Sequence, residues 1–238
     1  MKDYKRLIDP DRIPKHIAII MDGNRRWAEK RSLSVLEGHR KGTEVIEPIT
    51  ESAHQIGVKV LSLYTLSPEN WIRRSRLEIE GLLELLNYYI KSKKDYLNER
   101  GVRVRLCGFK DNLPKSTLRS IDSITEITRK NSRITLNMCF NYGGRQDIIN
   151  AVNRWMDIKK PNEKLSEKKI EKYLLTSGLP GVDLMIRTSG EYRISNFLIW
   201  QIAYSELVFS NVMWPDFKPY HLYKAVYDYQ KRERRYGG

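Results

Sequence analysis

Asp22 is followed by Gly23, Asn24, Arg25, Arg26 and Trp27, and preceded by the apolar run His16-Ile17-Ala18-Ile19-Ile20-Met21. This is the pattern of a buried strand that runs into a glycine turn and then a helix start, a common way to present backbone N–H groups to a phosphate. A carboxylate beside an anion site needs a cation between the two. Asp22, Mg2+ and a bound diphosphate form the simplest set that balances all three charges. Taken alone, Asp22 reads first as a cap on the helix that follows.

Three other segments combine the same residue types: Ser67-Pro68-Glu69-Asn70-Trp71-Ile72-Arg73, Asn141-Tyr142-Gly143-Gly144-Arg145, and Thr188-Ser189-Gly190-Glu191-Tyr192-Arg193-Ile194-Ser195-Asn196-Phe197. Singly, Arg26, Arg73, Arg187 and Arg193 read as surface salt-bridge donors. Together they suit two anionic groups, because a guanidinium fork binds phosphate bidentately. Trp27, Trp71 and Trp200 read as core aromatics, whose faces could also wall in an apolar substrate tail. The chain has no Walker A sequence, no Gly-x-Gly-x-x-Gly fingerprint and no serine-hydrolase elbow. Its four histidines and two cysteines form no zinc-spaced cluster.

The elements that must carry these residues alternate. Strands are predicted at Ile17–Met21, Val58–Tyr64, Val102–Cys107, Ile134–Phe140, Asp183–Arg187 and Glu206–Phe209. Helical patterns cover Gly38–Ile56 (which Pro48 should kink or interrupt), Glu78–Glu99, Lys115–Lys130, Gln146–Ile158 and Ser166–Leu174. Leu82, Leu85, Leu86, Tyr89 and Ile90 give the second of these one apolar face. The alternation predicts an α/β fold in a single domain over residues 1–238: a mostly parallel six-stranded sheet covered by helices on both faces. In such sheets ligands gather outside the carboxyl ends of the strands, and all four segments follow predicted strands.

Composition bounds the rest. With 40% apolar and 30% charged residues the chain reads as globular, and no apolar run approaches the ~20 residues that span a bilayer. Cys107 and Cys139 read as buried, reduced thiols, and the N-terminus lacks a signal-peptide pattern, so the expected compartment is the cytoplasm. A net charge of +14 admits nucleic acid, an anionic membrane surface or phosphorylated small molecules as partners. Nucleic-acid binding is not expected, because the basic residues concentrate at strand ends rather than interleaving with exposed aromatics along a groove.

From His16 to Gly238 the chain resembles the cis-prenyltransferases, the undecaprenyl or polyprenyl diphosphate synthases. The resemblance rests on His16 through Asn24, Gly38-His39, Ser67-Pro68-Glu69-Asn70-Trp71, Asn141 through Arg145, Ile186-Arg187-Thr188-Ser189-Gly190-Glu191, Arg193-Ile194-Ser195-Asn196-Phe197 and Arg232 through Gly238. It implies Mg2+-dependent condensation of isopentenyl diphosphate onto an allylic diphosphate such as farnesyl or geranylgeranyl diphosphate, giving a Z-polyprenyl diphosphate for lipid glycosyl carriers. By motif, Asp22 is the catalytic carboxylate and a magnesium ligand, Glu206 the second metal-linked acid, and Asn70 the group that assists proton removal. Gly23, Asn24, Arg25, Arg26, Trp27 and His39 fall to the allylic substrate; Arg187, Arg193, Ile194 and Ser195 to isopentenyl diphosphate; Ser67, Pro68, Glu69, Trp71 and Arg73 to neighbouring substrate contacts. An apolar product tunnel is implied, with Glu78–Glu99 as the candidate wall. The chain has no Asp-Asp pair, unlike the trans-prenyltransferases.

Residues 1–15 read as an N-terminal extension, and 230–238 as a tail whose Arg235 and Gly237 reach the partner's site, implying a homodimer. A transient membrane-surface contact would aid product release. The chain departs from the family pattern at Arg25, Val35, Leu66 and Pro68. Val35 replaces a usual arginine contact to the allylic diphosphate, and Arg25 is the residue expected to compensate. The competing reading, a non-catalytic support subunit, typically lacks the Asp and basic groups that this chain retains.

Overall fold

Every side chain of β1 (His16–Ile20) is buried, which requires cover on both faces and a partner on both edges. The structure, a computed structural model, describes residues 2–232. In it β1 pairs in parallel with β2 (Val60–Leu66) on one side and β5 (Leu184–Arg187) on the other. Beyond β2 lie β4 (Ile134–Phe140) and then β3 (Val102–Leu106); beyond β5 lies β6 (Glu206–Phe209). The order β3-β4-β2-β1-β5-β6 is parallel throughout, as the alternation predicts. The chain leaves β1 toward β2 and later returns on the opposite side to β5, so the strand order reverses at the β1–β5 boundary.

The helices are α1 (Asn24–Glu29), α2 (Val35–Glu44), α3 (Ile46–Gln55), α4 (Pro68–Arg73), α5 (Arg76–Glu99), α6 (Lys115–Ile127), α7 (Gly144–Met156), α8 (Glu167–Ile170) and α9 (Pro219–Gln230). The predicted helix Gly38–Ile56 is two helices rather than one kinked helix. Proline has no N–H and its ring clashes with the carbonyl four residues back; for Pro48 that residue is Glu44, the last of α2. The segment predicted as Ser166–Leu174 keeps one short helix. Helices α1, α4 and α9 were not legible from periodicity, and α9 opens with proline at a first-turn position, where its missing N–H costs nothing.

Strand alternation divides the interior in two. Ile17, Ile19, Leu61, Leu63 and Leu136 join the larger core, together with side chains from α3, α5, α6 and α9. Ala18, Ile20, Tyr64, Cys139, Tyr142 and Phe197 form the smaller core on the other face. A polar line crosses that second face: Ser62 Oγ donates to His16 Nε2 (2.7 Å) and accepts from Asn137 Nδ2 (2.8 Å), while His16 Nδ1 donates to Pro180 O (2.8 Å). The two N-terminal 3-10 turns, Tyr4–Leu7 and Pro10–Arg12, lie against α9, tied by Gln230 Nε2 to the carbonyls of Asp9 and Arg12. Both cysteines are buried free thiols. Among the described residues no helix is long and apolar enough to cross a membrane.

Burial lowers the His16 pKa from 6.5 to about 4. The unfolded chain therefore takes up a proton near pH 6.5 that the folded chain refuses until about pH 4, so stability is full above the first value and falls between the two. Its share at pH 5 is about 2 kcal/mol. Urea denaturation at pH 7.5 and 5 checks this: in a His16→Gln variant the drop between the two pH values is expected to be smaller by that amount.

Candidate active site

Asp22 lies just past the carboxyl end of β1, and Arg187 is the last residue of β5. Arg187 Nη2 donates to Asp22 Oδ2 at 2.9 Å. The guanidinium is only 4% exposed against 28% for the carboxylate, so the cation is the buried partner and needs its other donors used. Nη1 donates to Ser195 Oγ at 2.7 Å and to Arg193 O. Thr188 secures the turn beneath, since its Oγ1 donates to Asp22 O and accepts from Asp22 N–H. Asp22 does not cap α1. Its Oδ1 accepts from the adjacent Gly23 N–H at 2.7 Å, Gly23 itself is the cap residue, and the first turn of α1 has no side-chain cap.

Gly23 has φ +105, and a Cβ there would stand 2.7 Å from Ser189 Oγ. On the far side, a Cβ on Gly38 would lie 2.3 Å from Asn24 O, and one on Gly42 2.5 Å from Asn24 Oδ1. The glycine face of α2 therefore clasps Asn24 against the Asp22 turn. Trp214 closes the same corner, its Nε1 donating to Gly42 O at 2.7 Å and its backbone N–H to Asp22 O at 3.0 Å.

Two layers of charge surround this pair. On the β6 side, Arg26 meets Glu191 Oε1 at 2.8 Å, and Glu191 also pairs with Arg193, which holds its carboxyl below the usual range. On the α5 side, Glu78 receives Arg25 at 2.6 Å and Arg74 at 3.2 Å, with His39 Nε2 at 3.6 Å. Burial, then the Arg74 charge, push His39 down to about 4, so it is neutral at physiological pH. Arg25 and Val35 line one groove with Arg73 and Arg74. Sequence reasoning named Arg73, which is exposed; the half-buried member of the pair is Arg74, turned onto His39 and Glu78 because Ser75 caps α5 immediately after it. Adjacency in Arg73-Arg74 was the available signal.

The loop after β2 arrives from a third direction. Ser67 Oγ caps α4, placing Asn70 and Trp71 on its single turn and a half. Burial pushes Glu69 up, and hydrogen bonds from its own N–H, Ser67 and Asn196 outweigh it, leaving the carboxyl below its usual range. Trp27 is buried, Trp71 packs at the edge of the larger core, and Ile194 packs at the edge of the smaller one.

Glu206 is not part of this assembly within the chain. It opens β6 beside Leu184, whereas Arg187, three residues further along, marks the end where Asp22 lies; the separation along the strands is roughly 10 Å. Its carboxylate pairs instead with Arg232 at 2.7 Å. Arg235 and Gly237 lie outside the described residues. Among the described residues no three His, Cys, Asp or Glu side chains gather to hold a metal. The remaining donor set fits Mg2+, which keeps waters and binds through one carboxylate plus substrate phosphates. Asp22 supplies that carboxylate, and Asn24 Oδ1 and Ser189 Oγ are buried without partners on either side of Gly23.

Below the charges lies an apolar cleft of about 70 Å3, lined by Asn24 and His39 as well as Leu82, Leu86, Tyr89 and Phe140. A second cavity, of about 30 Å3, shares Leu86, Tyr89, Met138 and Phe140 with its lining and is also lined by Leu97 and Ile124.

A family model described as undecaprenyl diphosphate synthase matches residues 20–237. An isoprenyl transferase of Bacillus cereus is 46% identical over 230 residues, 95% of this chain and 89% of the relative; one of Clostridium tetani is 47% identical over 235 residues, 97% and 92% of the two chains. Among solved structures, lavandulyl diphosphate synthase from Lavandula x intermedia, in complex with dimethylallyl diphosphate, superposes with a TM-score of 0.91 at 32% identity, covering 96% of this chain and all of that one. A Campylobacter jejuni protein described as an undecaprenyl diphosphate synthase gives 0.80 at 28% identity, covering 94% and 99%.

Removing Asp22 leaves the 4%-exposed Arg187 without its counter-ion. Asp22→Ala is therefore expected to lose activity and also about 2–3 kcal/mol of stability, whereas Asp22→Asn, which keeps a carbonyl acceptor for Arg187, loses activity at near-native stability. Thermal melts beside turnover assays of both variants check the separation.

Proposed function

We propose that this chain, which belongs to the family of the undecaprenyl diphosphate synthases and is a prenyltransferase, condenses isopentenyl diphosphate onto an allylic diphosphate such as farnesyl or geranylgeranyl diphosphate to build a Z-polyprenyl diphosphate. One observation carries the reading: a cluster of guanidinium groups around a single strand-end carboxylate sits directly over the end of an apolar cleft. A charged head and a long hydrocarbon tail are the two halves of a prenyl diphosphate, and each half of the site accommodates one of them.

In the reaction the allylic carbon–oxygen bond breaks, diphosphate leaves, a carbon–carbon bond forms to isopentenyl diphosphate and a proton is lost from the new unit. Gly23, Asn24, Arg25 and Arg26, with His39 and Arg74, are placed to hold the allylic diphosphate at the uncapped first turn of α1. Arg187, Arg193 and Ser195 hold the isopentenyl diphosphate. Their mutual bonds fix the two substrates in register, which is a positioning effect. Asn70 is placed on the α4 turn to assist proton removal. Mg2+, held by Asp22 and substrate oxygens, supplies charge neutralisation for the departing diphosphate; Glu206, paired with Arg232, has no route to that ion within one chain. The cleft and the neighbouring cavity, which share Leu86, Tyr89, Met138 and Phe140, are the proposed course of the product tunnel. A homodimer completed by the 230–238 tail, a lipid-carrier role for the product, and a soluble enzyme that touches a membrane surface only to release it belong to the same reading.

Incubation with Mg2+, labelled isopentenyl diphosphate and allylic starters of graded length, followed by chromatographic sizing, tests it. The expected result is a ladder of condensation products that stops on addition of EDTA and resumes with excess Mg2+. Absence of any condensation product overturns the reading, and full activity in chelator overturns the metal assignment of Asp22.

A further inference from the structure

Residues 195 to 198 form a turn that local preference opposes. Ser195, Asn196 and Leu198 have φ of +47, +62 and +44, in a region where non-glycine residues are disfavoured by about 1–2 kcal/mol each. Such a turn persists only where its surroundings over-determine it. Phe197 is fully buried and stacks on Tyr64 with ring centroids 4.4 Å apart, while Tyr64 Oη donates to Ser195 O at 3.3 Å. Both polar atoms of the Asn196 side chain are engaged, and their partners lie on two other strand-end segments. Its Nδ2 donates to Glu69 Oε1 and to Gln146 Oε1, both at 3.1 Å, and its Oδ1 accepts from Arg145 N–H at 2.9 Å. Its carbonyl accepts from Gly144 N–H at 2.8 Å.

We propose that Asn196 is a positioning residue that joins the loop carrying Glu69 and Asn70, the loop opening α7 and the Arg193–Ser195 turn into one rigid body. Through Ser195 Oγ that body orients Arg187, and through Arg187 it orients Asp22. The isopentenyl diphosphate subsite and the residue that assists proton removal are thereby held at a fixed separation. The allylic side, built on α1, α2 and α5, has no direct bond to Asn196 and meets this coupling only at its far end, where Asp22 accepts from Gly23 N–H and pairs with Arg26. The inference rests on the assignment of Arg187, Arg193 and Ser195 to isopentenyl diphosphate.

The test uses binding rather than turnover, so it stays informative if condensation itself is not observed. Isothermal titration of the full chain with isopentenyl diphosphate in Mg2+, with no allylic partner present, gives Kd for wild type, Asn196→Gly, Glu69→Ala and the double variant. Glycine keeps the left-handed backbone and removes only the amide, so the variant retains its fold; thermal melting verifies this. The expected result is about tenfold or greater weakening in Asn196→Gly, the loss of a charge-assisted hydrogen bond. Binding of the allylic diphosphate, titrated separately, is expected to weaken much less, since it meets the coupled body only through Asp22. The Glu69 and Asn196 effects are expected to be strongly non-additive, because the two act as one unit. Additive effects, an unchanged Kd in Asn196→Gly, or equal weakening of both substrates overturns the proposal. Wild-type binding of isopentenyl diphosphate with no condensation overturns the proposed reaction while leaving the coupling to be judged on the same titrations.

Discussion

The Asp22–Arg187 pair is the constraint around which this molecule is arranged. A guanidinium that is 4% exposed needs a counter-ion; its two terminal nitrogens are matched, while Nε is left without a partner, and the matching reaches across the reversal of strand order between β1 and β5. That reversal opens a crevice at the carboxyl ends of the two strands, the place where open α/β sheets bind ligands. The Thr188 hydroxyl, the left-handed Gly23 and the Trp214 backbone N–H each act to hold the Asp22 turn where Arg187 can meet it. Chemistry and stability therefore share the same atoms, and the site cannot be relaxed without exposing a buried charge.

The sheet also separates two jobs. Its larger core leaves two small apolar cavities beneath the charged cluster, both lined in part by α5. Its smaller core supplies rigidity instead, through Phe197 and Tyr142 around Tyr64 and the His16–Ser62–Asn137 line. Glu78 links the two jobs. It pairs with both Arg25 and Arg74 beside His39 and so offsets part of the repulsion between the two guanidinium groups.

Much of this was legible in the sequence because period-two burial and loop composition are local signals. All six strands were found to within two residues at each end, Ile134–Phe140 and Glu206–Phe209 without error, and Asp22 and Arg187 were identified by the strands they terminate. The Asn196 brace and the Arg26–Glu191 pair were not, since the partners are far apart along the chain, and the Arg74–Glu78 pair, though only four residues apart, was not because nothing local states which way a side chain turns. Motif resemblance assigned Glu206 a metal-linked role, but its position at the opening of β6 follows from strand register, which a motif does not encode. The break between α2 and α3 shows the converse: Pro48 signalled an interruption correctly, and the carbonyl it cannot tolerate located that interruption four residues upstream.

The strand order has a consequence for biosynthesis. β1 is made first, yet one of its edges stays open until β5 emerges more than 160 residues later. A fully apolar edge strand with unsatisfied backbone groups is a template for pairing with other chains, and contacts of such sequence separation form late. On the ribosome, the half-sheet β3-β4-β2-β1 can be complete once β4 (Ile134–Phe140) has emerged, and its β1 edge then stays bare until β5 (Leu184–Arg187) follows. At the tens-of-seconds pace of synthesis, that interval is long enough for a chaperone, rather than the fold itself, to shield Ile17 to Ile20 until the second half of the polypeptide closes over them.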